Sequence, residues 1–183
     1  MNYAELQQAI QDYTEDYETS FIANIPVFVK QAEQRIYNSV QFPSLRKNVT
    51  GVMAAGNKYL SAPADFLAVY SLAVVTGTTG GDVNTGSYEY LLNKDVNFIR
   101  QAYPTPNSTG TPRYYALFGP TVSGSTISTE LSMILGPTPD ANYPVELHYY
   151  YYPESIVDAG TSWLGDNFDT VLLYGSLVEA YTY

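Results

Sequence analysis

The sequence predicts an α+β protein, with an N-terminal helical hairpin and a C-terminal helix bracketing an antiparallel β-rich middle. Three observations predict it. Apolar residues recur at helical spacing over residues 3–17 and 25–40, the period shortens to two from Leu45 onward, and a helical stripe returns after Gly165. The 183 residues are enough chain for a substantial core. They divide into a hairpin over 1–44, a β-rich domain with one inserted helix over 45–160, and a C-terminal helix over 161–183.

In the first helix, residues 3–17, Asn2 is placed to cap with Glu5 three residues on, and Leu6, Ala9, Ile10 and Tyr13 form the stripe. The second runs from about Ile25 to Val40, with Pro26 tolerated in its first turn and Phe42-Pro43 ending it. Ala55-Gly56-Asn57 reads as the turn of a hairpin between residues 45–54 and 57–63. Residues 64–77 follow as a buried strand, 76–87 as a Gly/Thr loop, and Tyr88 to Ala102 as a third helix. Beyond the proline-bracketed connection 104–112, short segments at 113–119, 121–127, 130–139 and 143–152 read as an antiparallel meander. The last helix is expected to be capped by Asp166. It reaches Tyr183 without a stop signal, so it is expected to continue or fray.

Charge is scarce. Only 14% of residues are charged, against roughly 25% in an ordinary soluble domain. Tyrosines number 19, a composition that suits surface meeting other protein. The net charge of −10 argues against sequence-independent nucleic-acid binding. Five of the eight basic residues, Lys30, Arg35, Arg46, Lys47 and Lys58, fall between residues 30 and 58, whereas the first 24 residues hold five acids and no base. Neighbouring copies can pair through such oppositely charged regions. The chain has no cysteine, hence no disulfide framework or thiolate metal site, and no apolar run long enough to span a membrane. It reads as a soluble, unsecreted protein.

No constellation carries an enzyme signature. His148 is the one histidine and lacks the neighbours of a metal cluster or nucleophilic triad. Asp12, Glu15 and Asp16 share a helical neighbourhood and read as an exposed acidic face. Residues 76–86 are glycine-rich without the Gly-Lys-Ser/Thr ending of a phosphate loop. The expectation is a protein that is not an enzyme and takes no cofactor or metal.

Several stretches in succession carry a resemblance: AEQRIYNSV closing the first hairpin, NKYLSAPADFLAVYSL, RYYALFG, ELSMILGPTPD, VELHYYYYPESI, and WLGDNFDTVLLYGSLVEAY at the end. In this order they resemble the head-to-tail adaptor (connector) proteins of tailed bacteriophages, the group related to the tail tubular protein A of short-tailed phages. That resemblance implies a non-enzymatic virion protein of the neck or tail, assembled in the host cytoplasm. It implies a ring, typically a dodecamer, joining the portal protein to the downstream nozzle or tube protein. It further implies that DNA passes through the lumen of that ring without specific binding. Lumen-facing acids such as Glu5, Asp140 and Glu146 would keep that DNA from sticking. The alternative class is an aromatic-rich carbohydrate-binding module of a phage tail or cell surface, with Tyr150 and Tyr152 stacking on sugar rings.

The run of four tyrosines, 149–152, sharpens the interface expectation. Alternation along a strand puts Val145, Leu147, Tyr149 and Tyr151 toward the core and Glu146, His148, Tyr150 and Tyr152 outward. A neighbouring subunit is expected to cover that outward face. With the basic residues Arg35, Arg46 and Lys47, these four are the candidate interface residues.

Overall fold

The computed structural model describes residues 1–123 and 126–183, the side chains of 120–130 apart. Its elements in order are helices α1 (Tyr3–Thr14) and α2 (Thr19–Ser39), then strands β1 (Arg46–Met53), β2 (Tyr59–Ser61) and β3 (Phe66–Thr76). Next come β4 (Ser87–Tyr90), β5 (Leu92–Asn93), α3 (Val96–Ala102), β6 (Tyr114–Ser123), β7 (Thr126–Gly136) and β8 (Tyr143–Tyr151). The chain closes with α4 (Ile156–Ala159), α5 (Trp163–Asn167) and α6 (Asp169–Tyr181). Helices at both ends and antiparallel sheets between them make the fold α+β. The chain forms two compact units, Met1–Leu45 with Tyr152–Tyr183, and Arg46–Tyr151.

In the helical unit, α1 starts as its sequence dictates. The Asn2 side chain accepts from the Glu5 N–H, and the Glu5 carboxylate accepts from the Asn2 N–H, each at 2.9 Å. Leu6 and Ile10 are fully buried. The helix stops at Thr14 rather than Tyr17, because Glu15 adopts a left-handed conformation and Asp16 turns the chain by accepting from the Glu18 N–H.

Helix α2 begins six residues earlier than expected, which leaves Pro26 inside it. An internal proline costs a helix about 3 kcal/mol. Here the early turn brings Phe21 and Ile25 onto the buried face beside Phe28 and Val29, and their burial offsets the loss. At the C-terminal end, Asp166 does not cap the last helix. Ser162 caps the short α5, its hydroxyl accepting from the Gly165 N–H at 3.1 Å, and α6 starts after Phe168 with no side-chain cap. Glu33 is buried here, and its carboxylate accepts from the Ile156 N–H at the start of α4 at 3.0 Å. Burial pushes its pKa up against that hydrogen bond.

The second unit is a pair of four-stranded sheets, ordered β1-β8-β3-β4 and β2-β7-β6-β5. Their facing sides enclose a core of Met53, Phe66, Leu72, Val74, Met133, Leu135, Val145, Leu147 and Tyr149. Helix α3 covers the far side of the second sheet through Ile99, which packs with Ala116 and Ile134.

Three local expectations fail here for one reason: strand pairing between distant segments outweighs local pattern. The turn at Gly56, with φ of 74°, is present, but it hands the chain from one sheet to the other. Thus β1 pairs with β8 and β2 with β7, and no hairpin forms between β1 and β2. Residues 87–90 and 92–93 are strand rather than helix. Tyr88, Tyr90 and Leu92 also repeat with period two, and pairing of β4 with β3 selects that period. The helix begins only at Val96, where Asp95 caps it. The meander is likewise partial. β6 and β7 are antiparallel neighbours, but β8 returns to the first sheet between β1 and β3. The expected segment at 113–119 continues across Gly119 through Ser123 as β6, so the segment expected at 121–127 is divided: 121–123 belong to β6, 126–127 begin β7, and positions 124 and 125 lie outside the described residues.

Candidate subunit interface

Strand β8 is central in its sheet, and its two faces differ as the alternation predicts. Val145, Leu147 and Tyr149 are buried, while Glu146, His148 and Tyr150 between them are only partly covered. The register aligns each face across the sheet. Lys47, Tyr149 and Val69 share the inward side, and Arg46, Tyr150 and Ala68 the outward side.

A polar network fixes the inward tyrosines. Tyr149 stacks on Phe66 with centroids 5.9 Å apart and donates its hydroxyl hydrogen to Asp65 at 2.8 Å. Lys47 reaches the other Asp65 oxygen at 2.6 Å and lies 4.0 Å from the centre of the Tyr151 ring. Burial, followed by the adjoining Asp65 charge, pushes the Tyr149 pKa up to about 12. For Asp65, burial acts upward, but the Lys47 ammonium and the Tyr149 hydroxyl together outweigh it and hold the carboxyl below its ordinary 3.8.

A carboxyl with a depressed folded-state pKa contributes stability above its unfolded value and loses it as pH falls through the folded one. Asp65→Asn is therefore expected to lower stability by about 1 kcal/mol at neutral pH, the ion pair being partly solvent-screened. That deficit should shrink toward zero below pH 3.8. Urea unfolding of both proteins at the two pH values measures it, and a deficit independent of pH would contradict the assignment.

On the outward face the groups are arranged differently. Between Val69 and Ser71 the β3 register shifts against β8, and the extra residue is Tyr70. Its ring meets His148 edge-on at 5.2 Å and Tyr150 at 6.1 Å. The Arg46 guanidinium sits over Tyr70 at 4.4 Å and within 5.9 Å of the Tyr150 ring. Further along, Tyr88 of β4 donates to Glu146 at 3.2 Å. Burial and then that carboxylate raise the Tyr88 pKa. The same face shows Val52 at 60% exposure and Tyr70 at 54%. An aromatic, cation-capped face with few charges is the composition of a protein-contact surface.

The structure thus brings Arg46, Glu146, His148 and Tyr150 together on one face. Lys47 belongs to the opposite side of the strand, engaged with Asp65. Tyr152 lies past the end of β8 in the helical unit, where its hydroxyl bonds to the Asn38 side-chain oxygen. Arg35, also in the helical unit, pairs with Glu179 at 2.7 Å. Sequence reasoning missed Tyr70 and Tyr88. Tyr70 is one tyrosine inside an aliphatic run, and only the bulge turns it outward. Tyr88 was assigned to the first turns of a helix that begins only at Val96.

Among the described residues no cluster of three or more His, Asp or Glu is placed to hold a metal, and no helix is long and apolar enough to cross a membrane. Asp12, of the acidic group near the first helix, accepts from Gln8 and Tyr17. Compared with known proteins, the chain matches the family described as "SU10 adaptor protein" over residues 1–183. No curated protein matches it.

Proposed function

Because the chain belongs to the SU10 adaptor protein family, a family of structural phage adaptors rather than enzymes, we propose that it forms a ring joining the portal to the tail. The match over all 183 residues carries this reading. In it, twelve copies assemble in the phage neck beneath the portal protein, the downstream tail protein binds the far side, and DNA passes through the central channel. The net charge of −10 favours a lumen that does not retain DNA. The outward face bearing Arg46, Tyr70, His148 and Tyr150 contacts a neighbouring copy, which supplies the cover these rings lack within one chain.

Mixing the purified protein with the portal protein of the same particle, followed by negative-stain microscopy, tests the reading. Closed rings stacked on the portal are expected. Failure to associate at micromolar concentration would overturn it.

A further inference from the structure

The two sides of the β unit are unlike. On one, a single extended run passes from β4 into β5 and closes the gap between the sheets. Leu91 turns into the core there, while Tyr90 and Leu92 on either side of it are 67% and 59% exposed. On the opposite side the sheets end in β1 and β2, and the gap stays open. A groove of about 330 Å³ lies between them, lined by Val49, Gly51, Leu60, Ala62, Val145 and Leu147.

Gly51 explains the opening. Its register opposite Val145 puts it on the core-facing side, yet a Cβ at this position would meet nothing within 4 Å. Sandwich interiors are otherwise filled to crystal-like density. Each side also ends in a sheet edge, since among the described residues β1 has β8 as its one strand neighbour and β4 has β3. Folded proteins cover or charge such edges. The charges are complementary. With Lys47 and Asp65 paired to each other and Arg46 on the outward face, residues 46–65 leave Lys58 as a further base on this side, whereas 82–93 hold two acids (Asp82, Glu89) and no base.

We propose that the open β1–β2 side receives the β4–β5 run of a second copy, with Tyr90 and Leu92 entering the groove. The partners use different patches, so the contact is heterologous and propagates head to tail until a ring closes. The proposal rests on the ring reading above and adds a lateral joint separate from the outward face of β8.

The absence of cysteine makes the test direct. A Val49→Cys/Leu92→Cys double variant, co-expressed with the portal protein and treated with a short bismaleimide, is expected to give a ladder of covalent oligomers, while each single variant gives none. Gly51→Val fills the groove at a position without a left-handed backbone. It is expected to melt no lower than the unsubstituted protein while reducing ring yield at least tenfold. Rings without a ladder, or undiminished assembly of Gly51→Val, would overturn the joint and leave the ring reading intact. Absence of rings from the unsubstituted protein would overturn both. A covalent adduct of Val49→Cys with a protein of different mass would assign the groove to another occupant and overturn the proposal.

Discussion

Tyr149→Ala is expected to cost about 3–5 kcal/mol of folding free energy, the range for deleting a buried aromatic ring. The ring is 4% exposed, stacks on Phe66, and donates to Asp65. Truncation removes all three contributions and leaves a void between the sheets. Tyr149→Phe keeps the ring and deletes only the hydroxyl, so its expected cost is about 1 kcal/mol. Tyr150→Ala, one residue on, loses only edge contacts with Tyr70 and the Arg46 stack. Its expected cost is at most about 1 kcal/mol. Denaturant unfolding of the three variants checks the series. Equal losses from Tyr149→Ala and Tyr150→Ala would mean that the strand is buried on both faces within one chain.

Assembly should reverse that ranking. Tyr150→Ala is expected to weaken ring formation on the portal at least tenfold, and by about 30-fold if Tyr150 is an interface anchor worth 2 kcal/mol. Tyr70→Ala should behave alike, because Arg46 packs on the Tyr70 ring and all three groups form one surface. Co-sedimentation with portal protein across a concentration series reads the effect. Normal assembly by both variants would remove the outward face of β8 from the interface.

Features set by neighbours in sequence were legible without a structure. The Asn2–Glu5 capping box forms as written. Leu6 and Ile10 are buried as their spacing required, and the burial of β8 alternates as a strand must. The family resemblance, carried by motifs in succession, is borne out by the match over the whole chain. The failures share a cause. Residues 88–92 satisfy both a helical and a strand period, and the choice fell to pairing of β4 with β3, which residues 73–76 supply. Pro26 looked like a first-turn residue until Phe21 and Ile25 were seen in the core. Tyr152, expected on the outward face of the tyrosine strand, follows the last residue of β8.

By itself the sequence determined the α+β class, the Asn2–Glu5 cap, the alternation of the tyrosine run and the family, because each depends on residue order within short range or on motifs in succession. Tertiary structure alone decided which strands pair, that β1 and β2 part into different sheets, that a bulge exposes Tyr70, and that Gly51 leaves a groove. Those outcomes depend on contacts between residues as distant as Arg46 and Tyr150. Local propensities of a few tenths of a kcal/mol per residue yield to such pairings once burial of a shared core is at stake.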